Sequence, residues 1–256
     1  MISVQSTPNL TGVTISGDYD DLYSLVEAFH EITINEYSEK HHKYIGISIR
    51  VLGLCYDIRH AYQGDRMVEL VDNKMSVYNM KRHSIIVPST NVYYSCNYLY
   101  PEMFFVMLAL NELVNLRIKE LAKTGSLHKG ILDRRVIWDD TIATIRSFQA
   151  KFVNCVKETV SPGTFSRWLS LMNSEGTHIE GISDQYVDLL NIKYLRMSKD
   201  NRLKNFNYFA RRIADYRNDD EHYEIKRMLT RAAREYNCHP SDIRMAGTNY
   251  PEQIEW

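Results

Sequence analysis

The stretch from Tyr44 to Arg66, YIGISIRVLGLCYDIRHAYQGDR, places the tightest limit on how this chain can fold. At 100° per residue, Ile47, Val51, Leu54, Cys55, Ile58 and Tyr62 fall on one side. Tyr56, Arg59, His60 and Gln63 follow the i, i+3, i+4, i+7 rule on the other. Ile45, Ile49 and Leu52 share the azimuth of those polar four, so the pattern predicts a helix buried on every side at its start and carrying a polar stripe at its end. Gly64 stops it. Such a helix belongs in the middle of a core, with the other elements laid around it. The phenol, guanidinium, imidazole and amide at its end suit either a binding site or a hydrogen-bonded junction between helix and sheet.

The neighbouring segments change period twice. Thr11 to Gly17 alternates Val13 and Ile15 with polar residues, as a strand does. Asp18, Asp20 and Asp21 then read as helix caps rather than metal ligands, ahead of Leu22, Leu25, Val26 and Phe29 at one-face spacing. After a polar link over 36–43 and the central helix, Met67–Val71, a turn at 72–74 and Met75–Tyr78 read as strand, tight turn and return strand. Ser84–Val87 and Val92–Tyr100 add two further strand candidates, making a small antiparallel meander rich in tyrosine. Pro101 suits the first turn of a long, strongly apolar helix that runs under the sheet or through the core. Beyond Leu132 only helices are predicted, over 134–159, 164–172, 183–197, 201–216 and 221–236, with Pro162-Gly163 and a glycine-bearing loop at 174–182 as punctuation. The fold class is therefore α+β: an antiparallel sheet with packed helices over residues 1–130, and a mostly helical bundle over 131–256 that can share the same globule.

Composition narrows the function classes. With 256 residues, 44% of them hydrophobic and 25% charged, the chain can bury a full core, which excludes disordered and fibrous classes. A net charge of −1 gives no global pull towards nucleic acid or anionic lipid, so such a partner needs a local patch. Cys55, Cys96, Cys155 and Cys238 are too scattered for structural zinc. No metal ligands and no cofactor are predicted, and the histidine pair His41-His42 is read as loop. No run approaches the length of a membrane span and the N-terminus lacks a signal-peptide pattern, so a cytoplasmic, membrane-free protein with reduced thiols is expected. P-loop, G-x-G-x-x-G, G-x-S-x-G and H-E-x-x-H motifs are absent.

Two resemblances add to this reading. The segments VQSTPNLTGVTISGDYDDL, CYDIRHAYQGDRMVELVDN and NVYYSCNYLYPEMFFVMLALN resemble a bacterial family, found mostly in Firmicutes, that is filed as a domain of unknown function. That similarity covers the first half better than the helical remainder; it implies bacterial origin and cytoplasmic location and carries no activity with it. In the second half, Arg217-Asn218-Asp219-Asp220-Glu221-His222 resembles the R-x4-H motif of the higher-eukaryote and prokaryote nucleotide-binding (HEPN) ribonucleases, helical enzymes that dimerise and cleave RNA without metal. The resemblance implies His222 as base, Arg217 as holder of the phosphorane charge and Asn218 as a supporting polar group, because an imidazole and a permanently charged guanidinium suit those steps. On one straight helix Arg217 and His222 would lie about 140° apart, so they converge only across a helix break or between subunits. Asn218-x-x-Glu221 fits a capping box equally well.

Lysine and arginine outnumber acids over 196–245. Arg211, Arg212, Arg227, Arg231 and Arg234, with Tyr208, Tyr216, Tyr223 and Tyr236, suit either an RNA-facing stripe or a solvated helix face. Met228–Met245 has a loose helix-turn-helix look without a clear recognition helix. Two functions are thus expected from the sequence. One is a homodimeric, metal-independent ribonuclease of a toxin or phage-defence kind, working through Arg217, His222 and Asn218, or through Arg59 and His60. The other is a non-catalytic binding protein that meets a protein partner or small ligand through the tyrosine-rich sheet and the Tyr56, Arg59, His60, Gln63 stripe.

Overall fold

Why the chain turns from sheet to helix at Leu99 is visible in its backbone. The longest strand, β4 (Thr90–Leu99), runs directly into the longest helix, α4 (Tyr100–Ala122), with Pro101 in the first turn, where its missing N–H costs nothing. The computed structural model describes residues 1–34, 41–172, 178–247 and 249–256. Residues 36–40 of the predicted link and 174–177 of the predicted loop lie outside them. The architecture is α+β, as the change of period predicts.

The sheet has four antiparallel strands in the order β1 (Ser3–Ser6), β2 (Gly12–Gly17), β4 and β3 (Met67–Asp72). Its register places Ile15 opposite Cys96, Gly12 opposite Leu99 and Met67 opposite Ser95. Gly12 is required there, because a Cβ would sit 1.9 Å from the Tyr98 carbonyl oxygen. After β2, Asp18 and Asp21 form a reciprocal capping box that starts α1 (Tyr19–Ile32), as the aspartate cluster predicts.

The predicted meander is corrected in two places. Residues 75–78 do not return as a strand: Ser76 caps the Asn79 N–H and opens α3 (Val77–His83), and Ser84–Val87 form no strand. The alternation of Met75, Val77 and Tyr78 had no second sheet face to serve, while a serine cap and three basic residues in the last turn satisfy both ends of a short helix. Residues 67–92 consequently form an arm whose edge strand β3 is exposed at all six positions. Conversely, the N-terminal strand β1 carries no period-two signal of its own, having only Val4 buried.

The central helix is α2 (Ile45–His60), followed by a wide turn over Ala61–Asp65 in which Gly64 takes φ +90°. Its predicted face holds: Ile47, Val51, Leu54, Cys55 and Ile58 are buried. Its start is not buried all round, since Ile49 is 58% exposed. The element buried nearly all round is the first half of α4, where all residues from Tyr100 to Leu110 are buried. Beyond it come two short helices, α5 (Leu127–Ile131) and α6 (Arg134–Ile137), then α7 (Asp140–Thr159), α8 (Pro162–Met172) and α9 (Asp184–Leu195). α10 (Lys199–Lys204), α11 (Phe206–Ala214) and α12 (Asp220–Tyr236) complete the helices. The single predicted helix over 134–159 is divided because Asp139 caps α7, accepting from the Ile142 N–H at 2.8 Å. After α12, the described residues hold a tight turn at Pro240–Asp242 and no second α-helix, so the helix-turn-helix likeness ends there. One apolar cluster joins Val13 and Ile15 of the sheet to Phe104 and Phe105 of α4, Phe152 of α7 and Phe209 of α11.

Candidate functional site

A cleft of about 720 Å³ opens between α2, β4, the start of α4 and α9, and the terminal segment 250–256 closes one side of it. That is a volume typical of small-molecule sites. Ser95, Cys96, Asn97, Tyr98 and Leu99 of β4 make one wall, Gly53 and Asp57 of α2 another, and Tyr250, Ile254 and Trp256 the closing side. The closing segment is held at two points. Tyr250 Oη receives a hydrogen bond from Asn191 Nδ2 (2.9 Å) and donates to Asp188 (3.2 Å), and the Glu255 carbonyl accepts from Thr11 Oγ1 (2.5 Å).

Deep in the cleft, Arg50 of α2 meets Glu102 of α4 in a two-pronged pair, Nε to Oε1 at 2.6 Å and Nη2 to Oε2 at 2.5 Å. Nη2 also reaches Asp188 of α9 at 2.9 Å, and the guanidinium lies 5.5 Å from the Phe105 ring centre. Asn191 completes the set, its Nδ2 donating to Glu102 Oε2 at 2.6 Å. Burial disfavours the arginine's charge, but Glu102, Asp188 and Asp184 outweigh it and hold its pKa well above the ordinary value. Asp184, at the rim of this network, is pushed up by its own desolvation. On the sheet wall, burial raises the Cys96 thiol to about 12, and Tyr98 is raised well above a normal phenol, so both stay neutral. Two buried acceptors on the walls have no partner: Ser95 Oγ and Asn191 Oδ1. Asp57, Asp65, Glu102 and Asp188 outnumber Arg50 and Arg66 along the lining, so the cleft has an acid excess.

The predicted stripe stands on the outer side of the same helix. The Tyr56 and His60 rings are 4.3 Å apart, and the Arg59 guanidinium lies 5.7 Å from the Tyr56 ring. His60 Nδ1 lies 2.8 Å from Asp65, a cleft residue, and Gln63 is exposed. Arg66 binds Asp57 at 3.0 Å. The stripe therefore borders the cleft without lining it. Tyr19 and Tyr23 of α1 gather around Tyr62 nearby.

The helix does break between Arg217 and His222. Tyr216–Asn218 form a tight turn, and Asp219, not Asn218, caps α12, accepting from the Glu221 and His222 N–H groups. Asn218 instead donates to Asp215 at 2.7 Å. His222 is buried edge-on between the Tyr186 and Tyr216 rings, and its Nε2 accepts the Ser183 N–H at 3.2 Å. Burial lowers its pKa to about 4, so the imidazole is neutral at pH 7. Arg217 points elsewhere, donating to Tyr216 Oη (3.3 Å) and meeting Glu180 (3.5 Å). Of the basic stripe, Arg227, Arg231 and Arg234 share an exposed face of α12 with Tyr223, whereas Arg212 is withdrawn into a bidentate pair with Asp219 (2.7 and 3.0 Å) and a contact with Glu221.

Arg50, Glu102, Asp188 and Asn191 escaped the sequence reading. A signal existed: Arg50 and Glu102 are charges inside apolar helix starts, and Asp184, Asp188 and Asn191 recur at i, i+4, i+7 on α9. No helix among the described residues is long and apolar enough to cross a membrane. A family described as Domain of unknown function (DUF6904) matches residues 2–256, so the likeness extends through the helical half as well as the first. No curated protein and no solved structure matches the chain.

Proposed function

We propose, for a chain that belongs to the DUF6904 family, that its function is to bind a small organic ligand in the cleft between α2, β4, α4 and α9. The observation that carries this reading is a cavity of ligand size whose walls, with Tyr98, Leu99, Ile254 and Trp256, stand over a fully paired charge network. That Arg50 network is already paired and rigid, so it orients a ligand without first having to rearrange. The acid excess of the lining favours a ligand with a donor-rich or cationic end. Tyr98, Leu99, Ile254 and Trp256 suit an apolar or aromatic body. The protein acts as a homo-oligomer of bacterial cytoplasm, pairing through the exposed arm at 67–92.

The test is thermal denaturation of the full chain against a library of small metabolites, repeated with Gly53→Leu. Gly53 is exposed and lines the cleft, and a leucine there fills space without removing a buried group. Compounds that raise the melting temperature of the wild type and leave the variant unmoved support the reading. A library without such compounds overturns it.

A second reading has one specific observation behind it. The turn at Tyr216–Asn218 supplies the break that an Arg217–His222 ribonuclease centre requires, and α12 offers basic residues to RNA. Against it stand the burial of His222 and its bond to Ser183. Incubation with total RNA in EDTA decides the matter: fragments ending in 2′,3′-cyclic phosphate, lost in His222→Ala, would replace the ligand-binding reading with the HEPN-like one.

A further inference from the structure

Half-way along α4, one cluster of polar groups has no part in the cleft. Glu112 sits in the middle of α4 with only 11% of its side chain exposed, and its Oε1 lies 2.7 Å from Nδ1 of His178. Two residues on, Glu180 comes into the same group. Ile179 between them is fully buried, which pins this segment to the core and fixes the two side chains against α4. The donor atoms of Glu112, His178 and Glu180 all lie within 4.8 Å of one another. A buried acid in an apolar helix, a second carboxylate and an imidazole are an expensive combination for a fold to gather without a cation between them. Arg217 and Lys43 supply part of that charge, but only to one oxygen: Glu180 Oε1 is 3.5 Å from the Arg217 guanidinium and 3.9 Å from Lys43 Nζ. The other oxygen, Glu180 Oε2, is sealed from solvent and has no hydrogen-bond donor.

We propose that Glu112, His178 and Glu180 form a binding site for a divalent first-row metal ion of the zinc class. The donor set suits it: carboxylate oxygens and an imidazole bind Zn²⁺ at about 2.0–2.2 Å, which puts neighbouring donors roughly 3.4 Å apart. The cluster reaches that spacing by opening the His178–Glu112 contact and drawing Glu180 in by about an ångström, a movement side chains make without disturbing α4. A mixed nitrogen and oxygen set favours zinc-like ions over calcium, which takes six to eight oxygens. His178 is 53% exposed, so three protein ligands leave a coordination position facing water. Arg217 competes with the ion for Glu180, and this sets the sign of one variant: removing the guanidinium strengthens binding.

Isothermal titration of the full chain with ZnCl₂ in chelator-treated buffer tests the site. The expected result is one ion per chain, with affinity reduced at least tenfold by His178→Ala and by Glu180→Gln, and increased several-fold by Arg217→Ala. CaCl₂ gives much weaker heats, and His83→Ala, in the arm at the end of α3, binds as the wild type. His178→Ala removes a half-exposed side chain, so it keeps its fold even where Glu112→Gln does not. Absorption of the Co²⁺-loaded protein provides a second readout: d–d bands that vanish in His178→Ala place the imidazole on the metal. Absence of saturable binding overturns the proposal, as does binding indifferent to His178→Ala or weakened by Arg217→Ala.

Discussion

Glu102 is the residue on which the cleft depends most, because two of its neighbours use it: Arg50 through two bonds and Asn191 through one. Replacing it by alanine leaves a buried guanidinium short of its main partner, so Glu102→Ala is expected to lower unfolding stability by about 3–5 kcal/mol in urea titrations. Arg50→Met combined with Glu102→Leu removes both charges together and should recover most of that loss. His222 gives a pH-dependent counterpart. Its imidazole titrates near 6.5 when unfolded and near 4 when folded, so between these values the unfolded chain holds a proton that the folded one rejects. Its contribution is complete above about 6.5 and is lost as pH falls towards 4. Unfolding free energies from urea titrations at pH 7 and pH 5 should differ by roughly 1–2 kcal/mol more in the wild type than in His222→Phe. At this scale the sequence was partly legible. The residue types of both sites can be read off the chain, but Glu112 and His178 are 66 positions apart, and no spacing rule joins side chains at that range.

Among the elements, the arm formed by β3 and α3 is the one whose surface a single chain leaves unfinished. Val68 is 51% exposed, Leu70 71% and Ile86 97%. β3 has an unpaired edge, which is a template for another strand. Twenty to thirty residues a side make a standard interface, and the arm spans about that many. Sedimentation velocity is expected to show a dimer whose dissociation constant rises at least tenfold in Val68→Lys with Leu70→Lys, with thermal stability of the monomer unchanged because neither side chain enters the core. A monomeric wild type at 100 µM or so would refute this. The helix α3 shows why the arm's sequence pattern misleads. Period-two apolar residues mark a strand only where a sheet face waits for them; over 75–78 the serine cap carried the better information. Where cap and face agreed, as in α1, the helix starts where the aspartate cluster places it.

For the molecule as a whole, the decisive fact is that the apolar cluster ignores the divide at residue 130. Phe29 of α1 meets Phe148 of α7 edge-on at 5.6 Å, and Phe104 of α4 touches Phe152, Trp168 and Phe206. The α+β half thus finishes its core with rings supplied by the helical half. Residues 1–130 expressed alone are expected to lack near-ultraviolet circular dichroism and to bind ANS, while the full chain unfolds in one transition with coincident fluorescence and circular-dichroism curves. Sequence periodicity could assign the two halves their classes but not show their union, because it says which side of a helix is apolar and nothing of which helix meets it. The position of Cys96 has a practical consequence. Its thiol is buried on the cleft wall and held neutral, so a soluble disulfide reagent reaches it only when the terminal segment swings aside. With the exposed Cys238 replaced by serine and the buried Cys55 and Cys155 by alanine, the slow phase of thiol labelling becomes a clock for that opening, and an occupied cleft makes the clock run slower.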